Sequence, residues 1–416
     1  MHLLSDNPAT QDTLGFDQMA KVLHTVIRDT PYRPFTIGIF GEWGSGKSTL
    51  MKLIETSLKR DSVKTVWFNA WKYDNKEVIW NALIQEIFYT MQRDPEIQGR
   101  TNAEEFKKQV AHVAAELAKY AAKVATRFIP GGIIKEEDVD GVLEALRPPS
   151  ANDALFDFIN RFESTFDQLV KGYVGNPDGY LVIFIDDLDR CLPENAIAVM
   201  EALKLYLDRA SCVFVIGAER SIIEEGIKER YRDNPRLSGK DYLEKIIQLP
   251  FIVRRIDAEN ALSILDPYDK TLPYRGDPAL RTLIVQGTEC NPRRIKRFIN
   301  TFWVLTEIAG GLTPEQRRLL AKVLFIQMRF PSFYYALVED LGLAARLTNA
   351  WSRPPRERDD FINASPAPIK LFFADTELMS FLEKTRDIPC EAEKIEACVM
   401  LTKGQTAIGI GGLSET

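Results

Sequence analysis

The stretch Gly41-Glu42-Trp43-Gly44-Ser45-Gly46-Lys47-Ser48 constrains this chain more than any other. It has the spacing GxxxxGK[ST], follows the apolar run Phe35–Phe40 (FTIGIF) and precedes a helical pattern from Lys47 to Lys59. A glycine-rich turn between a strand and a helix answers a specific physical demand. Gly41, Gly44 and Gly46 let the backbone reach positive φ and approach an anion with no Cβ in the way. The N–H groups of such a loop converge on a phosphate, and the helix that follows adds its positive N-terminal end. Lys47 can neutralise β- and γ-phosphate charge, and Ser48 can offer its hydroxyl to Mg²⁺. The nucleotide-binding residues expected from this segment are Gly41, Trp43, Gly44, Ser45, Gly46, Lys47, Ser48 and Thr49, with Lys47 also in a catalytic role.

The second informative segment is Leu181-Val182-Ile183-Phe184-Ile185, which runs into Asp186-Asp187-Leu188-Asp189-Arg190. A continuous apolar run of this kind is buried on both faces of a parallel sheet. The carboxylate that ends it lies at the C-terminal edge of the sheet, where open α/β folds bind ligands. Asp186 is thus the expected outer ligand of Mg²⁺, acting through water, so that Ser48 and Asp186 form the metal set. Asp187, one residue on, can polarise the water that attacks the γ-phosphate. Arg190 can pair with a carboxylate or sense phosphate. The two segments together specify a Mg²⁺-dependent nucleoside triphosphate site, with ATP as the expected nucleotide.

Further strand signals at Val63–Asn69, Val213–Ile216 and Ile246–Val253 alternate with helical patterns. The β-α-β-α order predicts a parallel sheet with helices on both faces. Trp67, Phe68, Trp71 and Trp80 read as core beneath that sheet. The Ala-, Lys- and Glu-rich stretch from Pro95 to Pro149 reads as a helical insertion. At 416 residues the chain is too long for one ordinary core. The expected organisation is a core over 1–256 that contains the insertion at 95–150, a helical lid over 257–347, and a loop-rich, weakly helical region over 348–416.

FGEWGSGKSTL, VWFNAWKYDNKEVIWNALIQEI, LVIFIDDLDRC, CVFVIGAER and NPRRIKRFIN occur here in the order seen in KAP-family P-loop NTPases. The chain resembles that family from about Asp17 to Leu347. Trp43 in the loop and Phe68-Asn69-Ala70-Trp71 at a strand end are the more specific marks. The resemblance implies an α/β P-loop NTPase fold of the additional-strand class, related to AAA+ and STAND ATPases, with an α-helical C-terminal lid. Many members carry paired membrane helices between the two phosphate-site segments, whereas this chain has a charged Ala-rich insertion there. Its most apolar part, Ala111–Ile134, contains Glu116, Lys119, Lys123 and Arg127, and a membrane span tolerates almost no charge.

Related ATPases read the γ-phosphate from the strand end that corresponds to Glu219 and Arg220, so either residue is a candidate sensor. The resemblance also implies that the arginine after Asn291-Pro292, which is Arg293, acts as a catalytic lid residue. Asn291 and Pro292 are a cap and a first-turn proline, and Ile295, Phe298, Ile299, Phe302 and Leu305 form the apolar stripe of the helix they open. Hydrolysis at such sites is slow until an arginine, often from a neighbouring subunit, reaches the transition state. Arg209, Arg220 and Arg230 are candidates for that role, and low activity is expected of the monomer.

Composition bounds the remaining possibilities. With 53 basic and 59 acidic residues the net charge is −6, which argues against a protein that coats nucleic acid by bulk charge. The segment Cys290–Phe330 nevertheless holds eight basic residues against two acidic ones, a surface open to nucleic acid between Arg293 and Arg329. Five cysteines form no CxxC pair, and three scattered histidines leave little material for zinc. The opening MHLLSDNPATQD lacks the basic end and apolar run of a signal peptide, so a cytoplasmic location is expected. The favoured function is an ATP-hydrolysing switch or assembly ATPase that self-associates or engages a partner effector protein. A nucleotide-regulated binding platform for DNA or a partner is the alternative. A role in antiphage or plasmid-related defence follows from the family resemblance alone.

Overall fold

The computed structural model describes residues 3–5, 12, 14–74, 79–127, 151–176, 178–205, 211–232, 238–266, 277–388 and 390–403. They divide into a unit over Pro8–Arg254 and a second formed by Arg255–Thr416 together with Met1–Asn7.

The first unit is built on a five-stranded sheet in which every neighbouring pair is parallel. The strands are β1 (Phe35–Phe40), β2 (Lys64–Asn69), β3 (Leu181–Asp186), β4 (Cys212–Ala218) and β5 (Leu249–Ile252), in the spatial order β2-β3-β4-β1-β5. β4 therefore separates the strand that feeds the glycine-rich loop from the strand that ends in Asp186, as the additional-strand class requires. Every residue of β1, β3 and β4 is buried, because these inner strands are covered on both faces. β2 and β5 lie at the edges, and β5 alternates between partly and fully exposed positions. The expected fifth strand began at Ile246. Ile246 instead closes the helix Gly239–Ile246, whose buried face comprises Gly239, Leu243 and Ile246, so the strand starts three residues later.

The core on one side of the sheet includes Leu83, Ile87, Phe88 and Met91 of the helix Ile79–Arg93, packed with Phe166 and Val170 of the helix Ala151–Val174. The rings of Phe88 and Phe166 lie 6.0 Å apart. Phe68 is fully buried and Trp80 packs partly buried against this core. Trp71 departs from expectation, since it is 56% exposed on the turn that follows β2. Its strand has already ended at Asn69, so the alternation that buries Phe68 no longer applies. Within the expected insertion, the helix Ala103–Arg127 buries Phe106, Val110 and Val113 on this core. Residues 128–150 lie outside the described residues. No helix among the described residues is long and apolar enough to cross a membrane.

The second unit is helical. The expected stripe of Ile295, Phe298, Ile299, Phe302 and Leu305 on the helix Pro292–Ala309 is buried, and the Phe298 ring stacks on Phe325 at 3.9 Å. The N-terminal stretch joins this unit, because Leu4 and the Asn300 side-chain amide exchange hydrogen bonds of 2.7 and 2.9 Å. Residues beyond Leu347 form the helices Pro355–Ala364, Ala367–Ala374, Thr376–Lys384 and Ala392–Lys403, where a loop-rich, weakly helical region was expected. The prolines that suggested loops occupy cap or first-turn positions, where a missing N–H costs nothing.

Candidate functional site

The glycine-rich loop folds around its own lysine. Gly46 takes a left-handed conformation with φ 99°, and a Cβ there would lie 2.6 Å from the Phe16 ring. At Gly41 a Cβ would come within 2.8 Å of Ser45 Oγ and 3.0 Å of the Val253 carbonyl. These positions exclude side chains, and they bring the loop backbone close around a small central space. Lys47 opens the helix Lys47–Arg60 and donates from Nζ to the carbonyls of Gly41 at 2.9 Å and Glu42 at 3.2 Å. Ser45 Oγ is buried on the same loop and has no hydrogen-bond partner. Thr49 is buried in the first turn of the helix, whereas Trp43 is 48% exposed.

The sheet brings the acidic residues to this loop. β2 and β3 run in register so that Asn69 and Asp186 stand opposite each other at their C-terminal ends. Asp186, only 5% exposed, accepts hydrogen bonds from Ser48 Oγ and the Asp187 N–H, both at 3.0 Å. The Ser48–Asp186 pair thus spans 138 positions of sequence. Burial and then the neighbouring Asp187 charge push the Asp186 carboxyl up from the ordinary 3.8 to about 6. Asp187 sits in the left-handed region with φ 57°, at the turn that ends β3. Its Oδ2 accepts from Asn69 Nδ2 at 2.8 Å and its Oδ1 lies 2.9 Å from Arg190 Nε. Arg190 therefore pairs with a carboxylate, one of its two expected roles.

Two residues of this centre were given no role from sequence. Asp189 Oδ2 accepts from the Glu219 N–H at 2.8 Å and lies 3.5 Å from Lys47 Nζ, so it links the loop lysine to the end of β4. Its sequence signal was no more than a third carboxylate following Asp186 and Asp187 after the apolar strand. Asn69 had been noted as a strand-end mark, but its meeting with Asp187 depends on β2 lying beside β3.

Most of the candidate sensors and trans arginines have partners of their own. Glu219 contributes its backbone N–H to Asp189, while its side chain accepts from Ser221 Oγ at 3.3 Å. Arg220 is taken up by Glu224 one turn along its helix at 2.6 Å, and Arg230 lies 3.4 Å from Glu201. Arg209 lies outside the described residues. Arg293 belongs to the second unit, in the first turn of the helix Pro292–Ala309, where the Asn291 side chain accepts from the Arg293 and Arg294 N–H groups. Several side chains of the expected basic face between Arg293 and Arg329 are tied to internal partners. Arg294 and Arg329 pair with Glu289, Arg318 pairs with Asp277, and Lys322 is buried.

The model of the KAP family P-loop domain matches residues 16–309. The chain is 24% identical over 262 residues to the phage T7 exclusion protein of Escherichia coli strain K12, which covers 60% of this chain and 34% of that protein. It therefore spans about a third of that relative's length. Similar solved structures include the Aeropyrum pernix ORC2 protein at 14% identity, with 94% of each chain covered and a TM-score of 0.39. The Aeropyrum pernix ORC1 protein in complex with DNA aligns at 11% identity over 94% of this chain and 92% of that one, with a TM-score of 0.37. The family model covers well over half of the sequence and includes every strand of the sheet: the chain belongs to the KAP family of P-loop proteins.

Proposed function

We propose that this protein is a Mg²⁺-dependent ATP-binding and hydrolysing NTPase that works as a nucleotide-driven switch or assembly ATPase. The observation that carries the reading is the meeting of Ser48 Oγ and Asp186 at 3.0 Å beside a lysine-bearing glycine loop. The residues present fit both the phosphate and the metal. Ser45 Oγ is a buried polar atom without a partner, and Lys47 is turned onto carbonyls of its own loop. A phosphate group would offer both a stronger acceptor than those carbonyls. Ser48 and Asp186 are the residues that would hold Mg²⁺, which when bound neutralises charge on the phosphate oxygens. Asp187 is the candidate for polarising the attacking water, and Arg293 for reaching the phosphates from the helical unit. Arg220 and Arg230, each paired with a carboxylate of its own chain, remain with Arg209 the candidates for completing the site of a second copy.

The deciding experiment is Mg-ATP binding and turnover by the purified chain and its Lys47→Ala variant. The expected result is slow turnover in the wild type, with affinity weakened about 10- to 100-fold and turnover at background in the variant. Equal binding and turnover in the two proteins would sink the reading. Because Asp186 titrates at about 6, its carboxylate must lose a proton before it can serve Mg²⁺. Mg²⁺-dependent nucleotide affinity should then fall about tenfold per unit below pH 6 and be flat above it. A flat profile from pH 5 to 8 would remove Asp186 from the metal set.

The similarity to a phage exclusion protein supports a role in defence against phage. Plaque counts on cells that carry the wild type or Lys47→Ala test it. Protection that survives the substitution would separate that role from the nucleotide site.

A further inference from the structure

We propose that Arg190 is a positioning residue that holds Asp187 idle, with its guanidinium parked between two exposed tryptophans. The inference rests on reading Asp187 as the group that polarises the attacking water. Both of its carboxylate oxygens are already engaged, Oδ2 by Asn69 at 2.8 Å and Oδ1 by Arg190 at 2.9 Å. In this state each oxygen already faces a donor, which leaves fewer lone-pair directions open to a water molecule. The two restraints differ in kind. The Asn69 contact is a directed hydrogen bond between strand ends held in register. Arg190 Nε makes no directed hydrogen bond, although it is buried and close to the oxygen. Charge alone holds that contact, and a misaligned N–H is easily drawn away.

Aromatic contact explains why the guanidinium stays. Arg190 Cζ lies 5.9 Å from the Trp43 ring centre and 5.4 Å from that of Trp71, within the range of cation–π attraction. Trp43 belongs to the phosphate loop, and Trp71 to the turn beyond β2. Both rings are about half exposed, so Arg190 and not a buried core is what joins them. One side chain therefore connects the loop, the end of β2 and the Asp187 turn. Movement of Trp43 with the loop, or of Trp71 with its turn, opens this stack and lets Arg190 leave Asp187. The arrangement is a clamp that ties the water-polarising residue to the state of the phosphate loop.

Steady-state Mg-ATP turnover by the full chain tests the clamp in Arg190→Ala, Arg190→Lys and Trp71→Leu, with Lys47→Ala as background. Arg190→Ala should raise kcat about tenfold, with KM for ATP within about twofold of wild type. Arg190→Lys keeps the charge beside Asp187 but loses the planar guanidinium that lies over the tryptophans, so its rise in kcat should be smaller than that of Arg190→Ala. Trp71→Leu changes an exposed residue, so it tests the clamp without disturbing the core, and an intermediate rise is expected. If turnover depends on Lys47 but kcat in Arg190→Ala and Trp71→Leu is at or below wild type, the clamp is overturned and the site reading stands. A rise in Arg190→Lys as large as in Arg190→Ala also overturns it, because charge would not be the restraint. If no variant shows turnover above the Lys47→Ala background, both readings fall.

Discussion

Asp186→Asn should make the nucleotide-free protein more stable at pH 7 while reducing Mg²⁺-dependent turnover by about a thousandfold or more. The two effects share one cause. Asp186 is buried beside a second carboxylate, and this raises its carboxyl from 3.8 to about 6. A carboxyl raised in the native state holds more protons folded than unfolded over that interval. Its contribution to stability is therefore full below about pH 4 and is lost as pH climbs through 6. At pH 7 the native state carries a buried negative charge that two hydrogen bonds only partly offset, at a cost of up to about 3 kcal/mol. Asparagine removes the charge and retains an oxygen for the Ser48 hydroxyl and the Asp187 N–H, which both meet Asp186 Oδ1. The same change removes the ionised group expected to serve the metal, a trade of stability for function that is common at active sites. Urea unfolding of both proteins at pH 4.5 and pH 7 would show it, as a stability gap that widens with pH. A variant less stable than wild type at pH 7, or one that retains wild-type turnover, contradicts the argument.

Lys322→Ala should be the most damaging single change in the helical unit, with a loss of about 3 to 5 kcal/mol. Lys322 is 2% exposed and donates from Nζ to the carbonyls of Thr385 and Ile388, both at 2.8 Å. Those carbonyls lie just beyond the C-terminal end of the helix Thr376–Lys384, where backbone acceptors lack partners within the helix. Burial pulls the Lys322 ammonium down from its ordinary value, which indicates how costly the site is for a charge. Truncation leaves two buried acceptors unsatisfied and opens a cavity. Lys322→Met fills most of the volume and removes the desolvated charge, so it should cost less than half as much. Denaturant midpoints at unchanged slope separate the two variants. A Lys322→Ala protein within 1 kcal/mol of wild type, by the usual size of a minor surface change, would show that the turn holds itself.

Lys322 also shows how far sequence reasoning reaches. In the chain it counts as one of eight basic residues between Cys290 and Phe330. In the structure it is interior, and Arg318, Arg329 and Arg294 are drawn to Asp277 and Glu289. Summed charge in a segment carries no information about which side chains face one another, because the partners Asp277 and Glu289 lie outside it. Trp71 makes the same point for the core. Phe68 is buried because it lies on the sheet, whereas Trp71 lies two residues past the strand end. The prolines beyond Leu347 failed as loop markers for a local reason, since a proline that ends one helix equally well begins another.

Sequence alone determined the features that depend on nearest neighbours: a glycine loop between strand and helix, an apolar strand ending in Asp186, and the capped helix that starts after Asn291. Each is encoded within about ten consecutive residues, so periodicity and spacing suffice to find it. Only the tertiary structure decided that Asn69 would reach Asp187 and that Asp189 would reach Lys47. Those contacts depend on strand order and register, with β2 beside β3 and β4 between β3 and β1. Strand order is set by how the whole sheet buries its faces, a global balance that no local segment contains.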